Sequence, residues 1–223
     1  MPLSESPEHR KLRATLRAVE KLVKDLETHQ FDYPGLEGYQ ITVSPMALGD
    51  ESDTTPGFFK PCPAHLLLEP DDTYDQARQP ASEAPFTKLF EYDYPEYGTT
   101  KAIQAKEGQC PHMKAMVYNN LDGKDGQLLR GELLIALRLI NAQMRRVRFF
   151  EHMTVPVLLI SFMFSFMGPQ HAWIIEAYYN GSSIVMRPTQ LSDLRKKDET
   201  LIKTFGQWYL GEPTGDTKVL WQL

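Results

Sequence analysis

The feature that most constrains the fold is the apolar run Thr154–Phe166, which is rich in Val, Ile and Phe. Gly168 and Pro169 follow the run, so we expect it to end at a turn. A run of 13 residues is too short for a membrane-spanning helix, which takes about 20 residues. Uninterrupted apolar sequence without polar alternation is typical of a strand buried on both faces. We therefore predict a central strand of a sheet that is covered on both sides.

Two further segments predict a hairpin after this strand. His171–Tyr179 and Ser182–Arg187 flank Asn180-Gly181, a residue pair typical of a two-residue turn. A turn of this length sets Glu176 opposite Val185 on the neighbouring strand.

The same register makes a prediction about three polar residues of the hairpin. Arg187 lies one diagonal step from Glu176 on the same face, and a carboxylate inside an apolar sheet needs such a partner. We therefore predict a Glu176–Arg187 ion pair. His171 and Glu176 are five residues apart, so regular pleating sends their side chains to opposite faces and keeps them from touching.

Three segments predict helices around these strands. The strongest is Gln127–Phe150, in which Leu133, Leu137, Ile140, Met144 and Val147 recur at helical spacing. Ser6–Gln30 predicts an N-terminal helix that either docks on the core or forms a short dimerising coiled coil, and we favour docking. Leu191–Leu210 predicts a last helix, with Val219–Leu223 as a short strand after it. The order helix, three strands, helix predicts an α+β (or α/β) fold with one sheet.

Residues 31–112 are poorly patterned and rich in proline, which disfavours long helices and central strands. Their many aromatic residues are not typical of a disordered linker. We predict an irregular wrap that lays aromatic anchors on the core: Phe31, Tyr33, Tyr39, Phe58, Phe59, Phe86, Phe90, Tyr92, Tyr94 and Tyr97. Its acidic stretch Glu69–Asp75 predicts an exposed loop.

Together these segments predict one compact unit of three parts. Residues 1–30 form an amphipathic helix, 31–112 the wrap, and 113–223 the α-β-β-β-α core. We expect a single core between the long helix and the sheet: Leu133, Leu137, Ile140, Val157, Leu159, Ile174 and Ile184.

Charge and composition exclude several classes of protein. The net charge is −5, with 11 basic and 19 acidic residues up to His112 and 13 basic and 10 acidic residues after it. This balance disfavours strong nucleic-acid binding. Two cysteines are too few for a disulfide framework, and the N-terminal sequence has no apolar signal-peptide stretch. We expect a protein that is intracellular, cytoplasmic or nuclear, with no membrane insertion.

Two short motifs suggest a metal site. Cys62 and His65 are three residues apart, and Cys110 and His112 are two apart. Thiolates and imidazoles are the usual ligands of zinc, but the spacing departs from the zinc-finger pattern. The alternative is that these are ordinary loop residues, and we favour it.

Common nucleotide-binding and hydrolase motifs are absent from the sequence. The chain has no P-loop and no G-x-G-x-x-G, H-E-x-x-H or G-x-S-x-G motif.

The order of elements also resembles the PD-(D/E)xK nuclease core, in which a helix Glu and strand acids hold a metal ion such as Mg²⁺. Glu132 stands at the helix position and Glu176 lies in the second strand, while His171 and Arg187 are further catalytic candidates. No Lys occurs between Lys124 and Lys196, so the strand lysine of that signature is missing. This departure favours a catalytically inactive relative of that core.

Several strings in the second half resemble a family of uncharacterised intracellular proteins from filamentous fungi. They are Gly131–Leu134, Val155–Leu159, Met167–His171, Ile175–Tyr178 and Leu210–Asp216. The resemblance implies a source and a compartment rather than a reaction. Two departures are Trp173, in place of a basic residue, and the repeat of Ser161-Phe-Met as Ser165-Phe-Met.

Two functional hypotheses remain. The first is a non-catalytic binding, scaffold or accessory protein with an unidentified protein partner, since no complete catalytic constellation is present. The alternative is a metal-dependent hydrolase that uses Glu132 and Glu176. The alternative requires Glu132, His171 and Glu176 to converge on one cleft.

Overall fold

In the computed structural model, which describes residues 4–49, 54–67, 89–105, 110–165 and 168–219, an eight-stranded mixed sheet separates two layers of helices. The helices are α1 (Pro7–Lys24), α2 (Arg130–Met144) and α3 (Glu199–Leu210). The strands are β1 (Gln30–Asp32), β2 (Ile41–Val43), β3 (Phe59–Lys60), β4 (Phe90–Glu91), β5 (Tyr97–Gln104), β6 (Met113–Asn119), β7 (Gln127–Leu129), β8 (Val157–Ser165), β9 (Gly168–Tyr179), β10 (Ile184–Pro188), β11 (Ser192–Asp193) and β12 (Glu212–Pro213). The protein belongs to the α+β class, as predicted.

The main sheet has the strand order β2-β10-β9-β8-β6-β5-β4, and β11 pairs with β9 beside this path. The pairs β6–β8 and β2–β10 are parallel, and the other pairs are antiparallel. Two small sheets, β1–β7 and β3–β12, lie outside it. No helix in the described part of the chain is long and apolar enough to cross a membrane.

Strand β8 confirms the prediction of a central strand buried on both faces. Its side chains alternate, so that Val157 and Leu159 belong to the core on the α2 side of the sheet. Leu158 and Ile160 belong to a second core on the α3 side. Because both faces are covered by protein, neither set of positions needs to be polar.

Helix α2 is buried on nearly every side because it lies between the sheet and α1. The Asn141 side chain donates to the carbonyl oxygen of Leu16 and to the carboxylate of Glu20, at 3.4 and 2.7 Å. Helix α1 docks on the core through its buried residues, which are His9, Leu12, Leu16, Val19 and Val23.

Two predicted helices are longer than the observed ones, and long-range strand pairing replaces the predicted end of the first and the predicted start of the second. The chain leaves α1 after Lys24, and residues 30–32 pair with residues 127–129 as the β1–β7 ladder. Helix α2 therefore begins at Arg130 rather than Gln127. It ends at Met144, so Val147 lies beyond it and is 57% exposed, contrary to its predicted place on the core face.

The last helix is also shorter than predicted. Ser192 and Asp193 pair with β9, and α3 begins at Glu199 after Asp198, whose side chain accepts from the Leu201 backbone N–H. The exposed loop predicted at Glu69–Asp75 lies outside the described residues, as do residues 220–223 of the predicted last strand and residues 166 and 167 of the second Ser-Phe-Met.

The description of residues 31–112 as an irregular wrap is wrong for its final part. Tyr97–Gln104 is a regular strand of the main sheet, paired with β4 and β6. No proline lies between Pro95 and Pro111, so Tyr97–Gln104 is free to extend as a strand.

Six of the seven residues of the predicted core lie together on the α2 side of the sheet, and Ile174 does not. Leu133, Leu137, Ile140, Val157, Leu159 and Ile184 all lie in the α2-side core. Ile174 lies in the α3-side core, because its neighbours Trp173 and Ile175 take the alternate positions that face α2.

Candidate functional site

Glu176 and Arg187 form the predicted ion pair, with 2.8 Å between Oε2 and Nη1. The predicted register is wrong by two residues, since Glu176 faces Arg187 directly. The turn is the four-residue loop 180–183 rather than a two-residue turn. The Asn180 side-chain oxygen accepts the backbone N–H groups of Ser182 and Ser183, at 3.0 Å each, and stabilises this longer loop.

Further hydrogen bonds connect the ion pair to the loop that precedes β3. The backbone N–H groups of Gly57 and Phe58 donate to the Glu176 carboxylate at 3.0 and 2.7 Å. Arg187 also donates to the carbonyl oxygen of Thr54 at 2.8 Å. Burial raises the pKa of Glu176, although the two N–H groups and Arg187 act in the opposite direction. The pair therefore fastens residues 54–58 to the α3 side of the sheet.

Glu132 lies in a different polar network, on the α2 side. The Trp173 indole donates to its Oε1 at 2.7 Å, and the Leu129 backbone N–H donates to its Oε2 at 2.9 Å. Ser161 donates a third hydrogen bond to it and accepts one from the Asn119 side chain at 3.1 Å. Burial raises the pKa of Glu132 to about 7, while these hydrogen bonds lower it.

These positions separate the catalytic candidates. Glu132 contacts the α2 side of β9, and Glu176 lies on the α3 side of the same strand. His171 is two residues before Trp173 and so shares the α2 side, away from Glu176, as predicted. The two carboxylates cannot bind one metal ion with the sheet between them. The structure therefore does not bring Glu132, His171 and Glu176 to one cleft, as the hydrolase alternative requires, and Arg187 lies with Glu176.

The cysteine and histidine candidates do not form a metal site. Within the described ranges, which include Cys62, His65, Cys110 and His112, no group of three or more His, Cys, Asp or Glu residues is placed to hold a metal. Nε2 of His112 donates to the carbonyl oxygen of Thr214 at 2.9 Å, and burial lowers the pKa of His112 to about 4. This histidine is a neutral core residue.

The most exposed aromatic residues of the described chain lie at the β4 edge of the main sheet. Phe90, Tyr92 and Tyr94 are 44, 78 and 77% exposed. The prediction that they anchor the wrap on the core is therefore wrong for these three, whereas Phe31, Phe58, Phe59 and Tyr97 are buried as predicted. Phe86 lies outside the described residues.

Glycine at position 98 allows the rings at this edge to come together. Phe90 is paired with Gly98, and Gly98 with Tyr118 on β6. A Cβ atom on Gly98 would lie 2.5 Å from the Phe90 ring and 2.6 Å from the Tyr118 ring, so both rings lie over the glycine. The Tyr92 ring stacks on Phe90 with 6.0 Å between centroids and an interplanar angle of 4°. We call Phe90, Tyr92, Tyr94 and Tyr118 the aromatic edge.

The aromatic edge continues across the α3 side of the sheet. Tyr118 is paired with Phe162, whose ring lies 6.3 Å from that of Phe164 and 6.2 Å from that of Phe205 on α3. Phe162 and Tyr118 are half-buried, and Phe164 is 37% exposed. The apolar surface is therefore wider than β4 itself.

Carboxylates alternate with these rings. Residues 89–97 contain Glu91, Asp93 and Glu96 and no Lys, Arg or His. Glu96 accepts a hydrogen bond from the Tyr118 hydroxyl at 3.0 Å. Burial, and after it this carboxylate, raises the pKa of Tyr118 to about 12, so the hydroxyl stays protonated as a donor. Glu91 and Asp93 form no ion pair with any residue the structure describes.

The exposed rings of this arrangement can contact the surface of another molecule. The alternation of aromatic and acidic residues over Phe90–Tyr94 is the signal that could have identified it. Phe90 and Glu91 lie on opposite faces of the short strand β4, and residues 92–94 follow it at the exposed end of the sheet.

Comparisons of the chain with protein families, with curated proteins and with solved structures found no match. The resemblance to fungal proteins and to a nuclease core therefore stays a prediction.

Proposed function

We propose that this chain is a non-catalytic protein-binding protein that binds a partner protein through the aromatic edge. The observation that carries the proposal is the exposure of Phe90, Tyr92 and Tyr94 side by side at one end of the main sheet. Tyrosine is enriched at protein interfaces, where its ring is buried and its hydroxyl finds a partner. Isolated exposed apolar residues are ordinary, whereas contiguous ones mark interaction surfaces.

The positions of the buried carboxylates support a non-catalytic role. Glu132 and Glu176 are each saturated by hydrogen bonds from the protein and have no exposed surface. Glu132 joins helix α2 to strand β9, and Glu176 joins the loop before β3 to β9. Both carboxylates therefore stabilise the fold. A substrate has no route to either oxygen pair without displacing these donors.

Affinity capture from a cell extract tests the proposal, with the double variant Tyr92→Ser/Tyr94→Ser beside the wild type. We expect the variant to keep its thermal unfolding midpoint, because both side chains are largely exposed, and to lose proteins that the wild type retains. The matched control is Leu22→Ser/Val147→Ser, which removes two exposed apolar side chains on the α1 and α2 side. Equal capture by the wild type and the tyrosine variant would contradict the proposal.

A further inference from the structure

The carboxylates beside the aromatic edge indicate which chemical class of partner it binds. We propose that the aromatic edge binds an arginine-bearing segment of the partner, with some of its guanidinium groups stacked on the tyrosine rings and others paired with the neighbouring carboxylates of Glu91 and Asp93. This inference rests on the proposed function and adds the identity of the ligand group.

The expectation of a cation follows from the negative charges that stand beside the exposed rings. Glu91 and Asp93 lie on either side of Tyr92, and neither has an ion-pair partner in the part of the chain that the structure describes. A negative field next to exposed ring faces attracts a cation by both charge and ring quadrupole.

The geometry favours arginine over lysine. Phe90 and Tyr92 are nearly parallel, so they present flat ring faces rather than the walls of a cage. A planar guanidinium can stack on such a face, and a second one in the same segment can bind a carboxylate through paired N–H donors. An ammonium group is a compact, strongly hydrated charge that stacks less well and cannot bind a carboxylate in the same two-point manner.

The same charges argue against anionic partners. Glu91, Asp93 and Glu96 repel the phosphates of a nucleic acid or of an acidic lipid surface, and no described basic residue occurs among them. A protein segment with arginine is the partner class that satisfies both the rings and the carboxylates.

Fluorescence anisotropy with labelled peptides tests the inference on the full chain. The probes are an Arg-Gly-Arg-Gly-Arg peptide and two versions in which every arginine is replaced by lysine or by uncharged citrulline. We expect the arginine peptide to bind about fivefold more tightly than the lysine peptide and about tenfold more tightly than the citrulline peptide. Binding should weaken as salt rises above about 0.15 M.

Variants assign the binding to the aromatic edge. Glu91→Gln/Asp93→Asn and Tyr92→Ser should each weaken binding of the arginine peptide about fivefold or more. The matched charge control is Glu27→Gln/Glu37→Gln, which removes two exposed carboxylates elsewhere and should leave the affinity unchanged. All variants must keep the wild-type far-UV circular dichroism spectrum and unfolding midpoint.

The outcomes separate the two proposals. Equal affinity for the arginine and citrulline peptides, or equal losses in both carboxylate double variants, overturns the arginine inference. If Tyr92→Ser/Tyr94→Ser still loses captured proteins in that case, the proposed function stands and the partner is apolar rather than cationic. If capture is unaffected while the peptide binds as expected, the partner-binding role fails and the cation site remains.

Discussion

Trp173 and Glu132 are joined by a 2.7 Å hydrogen bond between the indole Nε1 and the carboxylate Oε1, which ties the first turn of α2 to the face of β9. Both side chains are fully buried. The carboxylate that the sequence suggests as a metal ligand is thus occupied by an indole. Glu132 has no ion-pair partner among the residues that the structure describes, and its burial makes the stability of the protein depend on pH.

Glu132→Gln should change the pH dependence of unfolding. Glu132 keeps its proton in the folded state up to about pH 7, whereas it ionises near its ordinary pKa of 4.5 when unfolded. Between these values the unfolded state binds fewer protons, so the group makes the free energy of unfolding fall as pH rises, and the loss levels off above pH 7. The total decrease in the free energy of unfolding that this group causes is about 3 kcal/mol.

Urea unfolding of the wild type and of Glu132→Gln at pH 5 and pH 8 measures this effect. The other titrating groups, Glu176 among them, are common to both proteins and cancel in the difference. We expect the stability of the glutamine variant relative to the wild type to increase by about 2–3 kcal/mol from the lower to the higher pH. A pH-independent difference would show that the folded protein does not hold that proton.

The Glu176–Arg187 pair predicts a large cost for removing one partner. Arg187→Met leaves the Glu176 carboxylate buried beside an apolar side chain, and breaking a buried pair in this way costs about 3–5 kcal/mol. Denaturant unfolding at neutral pH measures the cost. The control is Lys21→Met, which breaks the exposed pair with Asp25 and should cost less than about 1 kcal/mol. Similar costs for the two variants would show that the buried pair is not needed.

The hairpin illustrates which predictions the sequence supports. Alternation along a strand depends only on chain geometry, so the faces of His171, Glu176 and Arg187 could be predicted. The loop length could not, because it depends on the Asn180 side chain accepting backbone N–H groups from two residues beyond the expected turn. An error of two residues keeps every side chain on its face, which is why the ion pair was still correct.

The aromatic edge was missed for a different reason. An aromatic residue in a poorly patterned segment can be buried or exposed, and Phe58 and Phe90 have similar local sequence surroundings, each near proline and acidic residues. Their burial differs because Phe58 is held by Glu176, which is 118 residues away in the chain, whereas Phe90 lies at the end of the main sheet. Tertiary contacts decide the burial of each ring, and the local sequence differs only in the alternation of aromatic and acidic residues over Phe90–Tyr94.

Leu137→Ala tests whether the face of α2 belongs to the core, as the sequence predicts. Leu137 is 1% exposed on the α2 side of the sheet, and removing a buried leucine side chain costs about 2–5 kcal/mol. Leu22→Ala, in a residue that is 42% exposed on α1, serves as the control and should cost less than about 1 kcal/mol. Urea unfolding of both variants and the wild type measures these free-energy differences. A loss below about 0.5 kcal/mol for Leu137→Ala would remove this face from the core.

Gly131→Ala tests the close approach of α2 to the sheet, because propensity and packing predict opposite signs. In a helix, alanine is ordinarily more stable than glycine by about 1 kcal/mol. Here a Cβ atom on Gly131 would lie 2.5 Å from Oδ1 of Asn119 and 2.6 Å from Cγ of Tyr97. Both neighbours are buried, and Asn119 is held by its hydrogen bond to Ser161, so neither can move without disturbing the Glu132 network.

We expect the Gly131→Ala variant to be less stable than the wild type by about 1–3 kcal/mol in urea unfolding. Gly206→Ala is the control in α3, where the added Cβ meets only Leu67 at 3.9 Å, and it should stabilise. Stabilisation by both substitutions would show that α2 lies farther from β5 and β6 than described.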